Sequence, residues 1–406
     1  MYNELAIIAL FVFFYSMVGG RLERTYISGA IVFVAVGLLM GPLGLGWFDA
    51  GVSGISFRVF ADLTLAVILF IDAANADFSI LKSQFRIPAR MLLFGLPGVI
   101  LLGTLFASII FDELSFFEAA ILGTMLAATD AALGKAIITN KTVPGRVREG
   151  LNFESGLNDG LCVPILFILI ALADGSGVEG DRAMFALKLV AEELGLGLLV
   201  GLSLSAIAAW GGRWCSVQGW GNKVWLQITA LGLSIACFSV AQSLHGSGYI
   251  AAFTGGLFFG YKNKKNTDKM VFAAKGIGET LALVTWMLFG AIVVSHCIPY
   301  FTWSMVVYAV LSLTVIRMFP VFLSLAGTGE SIRSKLFLGW FGPRGLASIV
   351  FSVIVLNKEL PGGRFIAMVV TLTVFLSLIA HGISAKPLAR WLGKHDNNDV
   401  KKTSDE

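Results

Sequence analysis

The chain has 406 residues, of which 56% are hydrophobic and 14% are charged, and its mean hydropathy is +0.82. A chain of this length and composition has too little polar surface to cover a water-soluble globule, which excludes a soluble protein. The formal net charge is +4. Because the basic residues are divided among loops between apolar stretches, this charge is a topology signal and does not indicate nucleic-acid binding.

Apolar stretches of roughly 18 to 25 residues, each long enough to cross a hydrocarbon core of ~30 Å, recur along the chain. They predict an all-α polytopic membrane protein with about thirteen transmembrane helices. The first stretch has no basic segment before it and no convincing cleavage site, so we interpret it as a span and not as a signal peptide. The predicted spans, numbered 1 to 13, are residues 4–20, 28–46, 57–75, 88–111, 116–138, 151–173, 184–211, 224–244, 247–261, 278–298, 302–326, 334–356 and 364–392.

Lysine and arginine concentrate in alternate loops and in the C-terminal tail. The opposite set of loops holds few, namely Arg58, Arg182, Lys188, Lys358 and Arg364. By the positive-inside rule, the N-terminus lies outside and the C-terminus lies in the cytoplasm. We therefore expect a multi-pass protein of a cell inner membrane.

The odd number of spans suggests an internal symmetry. Two six-helix repeats of opposite topology, residues 4–173 and 224–392, would be joined by a linker helix at residues 184–211. Together they form a single transmembrane unit over residues 1–394. The polar residues 395–406 are predicted to be a short, disordered cytoplasmic tail.

Two spans carry helix-breaking residues at equivalent places in the two repeats. Span 5 contains Ala127–Asp130 with Gly134 behind it, and span 12 contains Gly342-Pro343-Arg344-Gly345. Proline removes a backbone donor, glycine eases unwinding, and a charge at mid-span makes little sense against lipid. We predict two discontinuous helices whose half-helix ends face a polar cavity. The alternative is a glycine-packed helix that crosses without unwinding.

Ionisable side chains at mid-membrane depth are costly and are therefore candidates for function. The densest cluster is residues 152–160 in span 6. Four other charged residues lie nearer the ends of their spans, within reach of the interface: Arg58, Asp62, Glu192 and Glu193. Those at mid-span are Asp72, Asp130, Glu154, Asp159, Glu279, Arg317 and Arg344.

Span 6 places two oxygen ligands on one helical face. At about 100° per residue, Ser155 and Asp159 share a face, while Glu154 and Asn158 lie on the neighbouring one. A hard monovalent cation needs several oxygens, which Asp159, the Ser155 hydroxyl and a carbonyl freed near Thr129 would supply. A desolvated carboxylate also holds a proton readily, so protons would compete with the cation at Asp159. The alternative is that Asp159 is simply paired to an arginine.

The remaining mid-span charges have structural interpretations. We predict an ion pair between Glu154 and Arg344, because each alone would be unstable and their depths in spans 6 and 12 match. Asp130 follows a predicted break, where we favour capping of the next half-helix over cation ligation. Asp72 is a second ligand or an acid on the access path. Arg317 holds a domain contact or neutralises an acid in the cavity.

Cysteine and histidine show no metal-ligand spacing, and no cofactor is expected. We interpret the cysteines as packing residues and the histidines as residues of span ends or loops. They are Cys162, Cys215, Cys237 and Cys297, and His245, His296, His381 and His395.

Three motifs, each in the right span, carry a family resemblance. They are ESGLNDG at 154–160, Thr129-Asp130, and GPRG at 342–345. Together they resemble the sodium/proton antiporters of the NhaP and eukaryotic NHE type, within the monovalent cation:proton antiporter superfamily. The resemblance covers essentially the whole membrane region in order and spacing.

The resemblance implies a homodimer with elevator-like alternating access. Each protomer would have a core domain, from spans 3–6 and 10–13, with two crossed discontinuous helices, and a dimerisation domain from the remaining spans. The implied partners are thus a monovalent cation, a proton, membrane lipid and a second copy of the chain, without nucleic acid.

The resemblance also assigns residues. Asp159 matches the ion-binding aspartate, and Thr129 and Ser155 match ligand positions, so Na⁺ would bind at these three. Glu154 with Arg344 matches the stabilising pair. Asn158 precedes Asp159 where electrogenic relatives have a second aspartate. One carboxylate carrying one cation or one proton implies an electroneutral, one-for-one exchange of Na⁺, or of Li⁺, for H⁺.

Departures from the family pattern keep other readings open. Ala131 stands where relatives commonly have proline, Asp72 where many have glutamate, and Gly156 where a bulkier residue is common. A smaller acid and a looser helix could alter the cation preference, so a K⁺/H⁺ antiporter is the alternative.

Two other classes of function are disfavoured. Inverted repeats centred on a carboxylate favour a site that is exposed alternately to either side of the membrane, which disfavours a cation channel. An intramembrane aspartyl protease is disfavoured because its Gly-x-Gly-Asp context is missing, so we expect no enzymatic activity.

Overall fold

The structure is a computed structural model that describes residues 2–22, 28–48, 54–76, 86–130, 133–138, 140, 142–174, 182–220, 222–264 and 267–404. All regular secondary structure in these ranges is helical. A π-helical stretch, Met91–Gly95, joins α4 to α5, and a second, Phe289–Val294, joins α12 to α13. A 3₁₀ turn at Ile298–Tyr300 follows α13. The α-helices are α1 (Tyr2–Leu22), α2 (Gly29–Met40), α3 (Gly54–Asn75), α4 (Arg86–Arg90), α5 (Leu96–Ile110), α6 (Phe116–Met125), α7 (Lys135–Ile138), α8 (Gly145–Asp174), α9 (Arg182–Val217), α10 (Lys223–Ser243), α11 (Gly248–Asn263), α12 (Thr267–Leu288), α13 (Ser295–Cys297), α14 (Trp303–Leu313), α15 (Val315–Ser324), α16 (Ile332–Trp340), α17 (Leu346–Asn357) and α18 (Gly363–Ser404).

Eight helical stretches of the described chain are long and apolar enough to cross a membrane. They coincide with predicted spans 1, 4, 6, 7, 8, 10, 11 and 13. The other five predicted spans also contain helix, but α2 and α11 have only 12 and 16 residues, α3 carries three charges, and spans 5 and 12 are interrupted. The all-helical membrane fold is confirmed, and the count of thirteen stays a prediction.

The chain packs as two compact units. The first contains Met1–Arg58, Arg86–Ser155 and Leu283–Glu406, and the second contains Val59–Phe85 and Gly156–Ala282. Each unit draws on both predicted repeats, so the units do not coincide with the repeats. The division into a core and a dimerisation domain stays a prediction.

Both predicted interruptions are present in the first unit. In span 5, α6 ends at Met125 and α7 begins at Lys135; in span 12, α16 ends at Trp340 and α17 begins at Leu346. Pro343 lies inside the second interruption, where its missing N–H removes a helical hydrogen bond. The prediction of two discontinuous helices is therefore confirmed. Ala131, the departure noted in span 5, lies outside the described residues.

Helix α6 begins at a capping box that also fixes its neighbour. The Ser115 hydroxyl accepts from the N–H of Glu118 (3.3 Å), and Glu118 Oε2 accepts from the N–H of Ser115 (2.9 Å). The second oxygen, Oε1, accepts from the N–H of Gly362, just before α18 (2.6 Å). One carboxylate thus satisfies donors at the starts of two helices.

The last helix extends further than expected. α18 runs from Gly363 through Ser404, so most of the tail predicted to be disordered is helical in the structure. Residues 405 and 406 lie outside the described residues.

Glycines bring helices of the second unit into backbone contact. On α11, a Cβ atom at Gly256 would overlap the carbonyl oxygen of Phe70, and one at Gly260 would overlap that of Ala74. Both carbonyls belong to α3. Such small-xxx-small spacing lets two helices approach closely within a membrane, where packing replaces the hydrophobic effect between helices. The close contact holds α3, which carries Asp72, against α11.

Gly260→Ala is expected to destabilise the protein by about 1 to 3 kcal/mol, since the added methyl group must push α11 away from α3. The matched control is Gly232→Ala on α10, where a Cβ would meet nothing within 4 Å. That change should be neutral or slightly stabilising, because alanine favours helix. Thermal unfolding in detergent measures both. Equal melting temperatures for the two variants would contradict the backbone contact.

Candidate functional site

The two interruptions of the first unit contact each other. The N–H of Asp130 donates to the carbonyl oxygen of Pro343 (2.8 Å). In return, Nη1 of Arg344 donates to the carbonyl oxygens of Ala127 (3.4 Å) and Ala128 (3.5 Å). Arg344 is fully buried. Each interruption therefore satisfies backbone groups that unwinding has freed in the other, as a dry environment demands.

Asp130 caps helical turns on both sides of this crossing. Its Oδ2 accepts from the N–H of Leu346, the first residue of α17 (3.1 Å). Its Oδ1 accepts from the N–H of Leu133, shortly before α7 (3.2 Å). The sequence analysis assigned Asp130 to the next half-helix of its own span; the carboxylate also serves the half-helix of the other span. A Cβ at Gly345 would overlap this carboxylate, so only glycine fits there.

Glu154 is held in a bidentate ion pair with Arg317. Nη1 of Arg317 donates to Oε1 (2.7 Å) and Nη2 donates to Oε2 (2.9 Å). The side chains are 0% and 2% exposed. Two parallel charge-assisted bonds offset the cost of burying both charges. Of the two roles left open for Arg317, the structure shows neutralisation of an acid.

The sequence analysis paired Glu154 with Arg344 and did not identify Arg317 as the residue that holds both of its oxygens. Arg344 lies in the interruption between α16 and α17, where its guanidinium also approaches the carbonyl oxygen of Ser312 (3.5 Å). Arg317 lies on α15, directly in line with both oxygens of Glu154. The sequence argument did not find the contact with Arg317, and the pairing of Glu154 with Arg344 stays a prediction.

Thr129 and Ser155 come together beside this ion pair. The Thr129 hydroxyl lies 3.3 Å from the Ser155 hydroxyl and 3.5 Å from Oε2 of Glu154. The two residues are 1% and 5% exposed. Thr129 is reached only because span 5 is unwound after α6, whereas Ser155 projects from the continuous helix α8. The first unit thus gathers two hydroxyl oxygens next to a carboxylate whose charge is already compensated.

The second unit holds the other predicted site residues. Asn158 and Asp159 are 0% and 8% exposed, and Asn158 Oδ1 accepts from the thiol of Cys162 (3.3 Å). Asp159 follows Ser155 by four residues on the unbroken helix α8. A Cβ at Gly156 would lie 3.6 Å from the Cβ of Asp72. Asp72 therefore lies beside α8, within one turn of Asp159.

Two polar residues that the sequence analysis placed near interfaces are buried. Asp62 is 8% exposed and accepts a hydrogen bond from the hydroxyl of Tyr249 within the second unit (2.7 Å). His381, in the first unit, is 3% exposed. The sequence analysis predicted the burial of neither side chain. For His381 a signal was available, because Ser377 and His381 lie four residues apart in a predicted span and so share a helical face.

The chain matches a known family over nearly its whole length. The profile described as "Sodium/hydrogen exchanger, transmembrane" matches residues 7–391. The K(+)/H(+) antiporter NhaP of Alkalimonas amylolytica is 25% identical over 371 residues, covering 89% of this chain and 62% of that protein. For NhaP2 of Shewanella oneidensis, also named a K(+)/H(+) antiporter, the identity is 24% and the shares are 91% and 63%. This chain thus spans about three-fifths of the length of these two relatives.

Two further matches cover their counterparts more fully. A Na(+)/H(+) antiporter of Schizosaccharomyces pombe is 22% identical, covering 91% of this chain and 86% of that protein. The structure of the sodium proton antiporter MjNhaP1 from Methanocaldococcus jannaschii superposes with a TM-score of 0.79 at 20% identity, covering 96% of this chain and 98% of that chain. This likeness confirms the fold that the sequence motifs predicted.

Proposed function

Because this chain belongs to the sodium/hydrogen exchanger family, we propose that it is a secondary active antiporter exchanging Na⁺, with Li⁺ as a second cation, for H⁺. The observation that carries the proposal is the meeting of Thr129 and Ser155, 3.3 Å apart, at the unwound part of span 5. Hydroxyl and carbonyl oxygens at a helix interruption are the ligands that membrane carriers offer to small cations. Asp159 follows one turn later on α8.

In this mechanism Asp159 carries either the cation or the proton. The Asp159 carboxylate, the Ser155 hydroxyl and Thr129 bind the dehydrated cation, and Asn158 orients the site from the adjacent position. Protonation of Asp159 removes the anionic ligand and releases the cation. Glu154 does not alternate in this way, because Arg317 holds both of its oxygens. Either cargo neutralises Asp159, so the loaded site crosses an apolar region at lower cost than the empty one.

The exchange is proposed to be electroneutral, one cation for one proton. Asn158 carries no charge, so Asp159 is the one carboxylate of the Asn158-Asp159 pair that can exchange a cation for a proton. Asp72 supplies a further oxygen ligand, which its place beside Gly156 supports. Alternating access is proposed to be elevator-like.

K⁺ is the second candidate substrate. The relatives from Alkalimonas amylolytica and Shewanella oneidensis are both named K(+)/H(+) antiporters, whereas the yeast relative and MjNhaP1 are named for sodium. The residues that bind the cation are the same in both cases.

The chain is further proposed to lie in a cell inner membrane as a homodimer. The distribution of Lys and Arg among the loops supports an external N-terminus and a cytoplasmic C-terminus. Wide apolar exposure along α1 and α9, including Phe14, Met17, Leu199 and Trp210, supports contact with lipid or a second protomer.

The test is a cation panel on proteoliposomes that contain the native chain and an imposed pH gradient. Addition of Na⁺ or Li⁺ is expected to dissipate the gradient, and clamping the membrane voltage at zero should leave the rate unchanged. Choline serves as the inert cation. A response to K⁺ alone would reassign the substrate, a rate that follows the voltage would refute electroneutrality, and no response to any alkali cation would refute antiport.

A further inference from the structure

Helix α18 presents two polar residues to the interruption in span 12. The hydroxyl of Ser377 accepts from the N–H of Arg344 (2.8 Å). Nε2 of His381 lies 2.8 Å from the carbonyl oxygen of Trp340. All four residues belong to the first unit. Ser377 and His381 are buried, at 0% and 3% exposure.

These contacts hold the two ends of the interruption. Trp340 is the last residue of α16, so its carbonyl has no partner within the helix, and the N–H of Arg344 precedes α17. Trp340 and Arg344 are four residues apart, as are Ser377 and His381. One turn of α18 therefore spans the gap that the unwound segment leaves.

The contacts of the His381 ring indicate one protonation state. A carbonyl oxygen can only accept, so Nε2, which faces Trp340, must carry a hydrogen. Nδ1 lies 3.0 Å from the Ser377 hydroxyl, whose oxygen is already accepting from Arg344 and whose hydrogen can point at Nδ1. Nδ1 also lies 2.9 Å from the Ser377 carbonyl oxygen, which would suit a second ring hydrogen. However, that hydrogen would create a buried positive charge, which burial disfavours, next to Arg344, whose N–H is bound by the same Ser377 hydroxyl.

We propose that Ser377 and His381 form a brace that positions the interruption of span 12, and that the brace requires the neutral Nε2–H tautomer of His381. The effect reaches the candidate cation site through the contact between Pro343 and Asp130, because Thr129 directly precedes Asp130. Ser377 and His381 are positioning residues and do not touch the cation. The transport consequence rests on the proposed antiport, whereas the tautomer does not.

The tautomer is tested by solid-state ¹⁵N NMR on protein with ring-labelled histidine in liposomes, without any transported cation. A neutral Nε2–H signal is expected in the native chain; it should vanish in His381→Gln and shift in Ser377→Ala. An imidazolium or an Nδ1–H signal assigned to His381 by the same two variants would overturn the brace.

The positioning role is tested by the dependence of exchange on cation concentration. His381→Leu and Ser377→Ala are expected to raise the half-saturating cation concentration about tenfold, the effect of losing one buried hydrogen bond. His381→Gln should recover most of the affinity, because its amide can both donate to Trp340 and accept from Ser377. The matched control is Ser384→Ala on α18. Its hydroxyl accepts from Nε1 of Trp340 (2.9 Å) and not from the backbone of the interruption, so its affinity should be unchanged.

The outcomes separate this inference from the proposed function. Unchanged cation affinity in folded His381→Leu and Ser377→Ala would refute the positioning role. A loss of affinity in Ser384→Ala equal to that in these two variants would also refute it. If His381→Leu does not fold, Ser377→Ala decides. If the native chain exchanges no cation, the antiport proposal fails while the NMR result still decides the tautomer.

Discussion

Asp159→Asn is expected to abolish cation-driven dissipation of a pH gradient in proteoliposomes. Asparagine keeps the shape of the side chain but can neither release a proton nor present an anionic ligand. Without the Asp159 carboxylate, the site loses the anionic ligand that exchanges, and no proton could be exchanged for the cation. The measurement is the sodium-dependent rate for variant and native protein at equal reconstituted amounts.

The control for this experiment is Asp62→Asn. Asp62 is also a buried aspartate of the second unit, with the same 8% exposure as Asp159. Its asparagine can still accept the hydrogen bond from Tyr249. We expect this variant to exchange cations at close to the native rate. Persistent exchange in Asp159→Asn, or an equal loss in Asp62→Asn, would remove Asp159 from the central role.

Breaking the buried pair from one side is expected to be the most destabilising change in the first unit. Glu154→Gln and Arg317→Met should each cost about 3 to 5 kcal/mol, because each leaves an uncompensated buried charge. The double variant should recover a large part of that loss, since neither charge then remains. Thermal unfolding of the two single variants and the double variant in detergent gives the coupling energy.

The same experiment with Arg344 distinguishes the two arginines. Glu154→Gln combined with Arg344→Met should show weaker coupling than Glu154→Gln combined with Arg317→Met, because Arg317 makes both short bonds to the carboxylate. Stronger coupling to Arg344 would identify Arg344 as the main partner of Glu154, as predicted from the sequence.

Local chemistry was sufficient to predict the features that involve only neighbouring residues. Long apolar runs marked the spans, since crossing a hydrocarbon core depends on length and hydropathy alone. Gly342-Pro343 marked an interruption, because a missing N–H and a missing Cβ act on the backbone where they occur. The helical period placed Ser155 and Asp159 on one face. The family resemblance of these same motifs also predicted the fold, which the match to MjNhaP1 confirms.

The features that the sequence left undetermined were those requiring a partner from a distant part of the chain. Arg317 and Arg344 carry the same charge in neighbouring predicted spans, and only the structure shows that Arg317 holds both oxygens of Glu154. Asp62 and His381 were judged by their distance from span ends, whereas their burial depends on Tyr249 and Trp340, far away in sequence. The sequence by itself therefore determined the membrane fold, the interruptions and the helix that carries the candidate site. Only the tertiary structure decided which charges and polar groups meet, because a buried polar group takes the partner that packing brings within hydrogen-bonding distance.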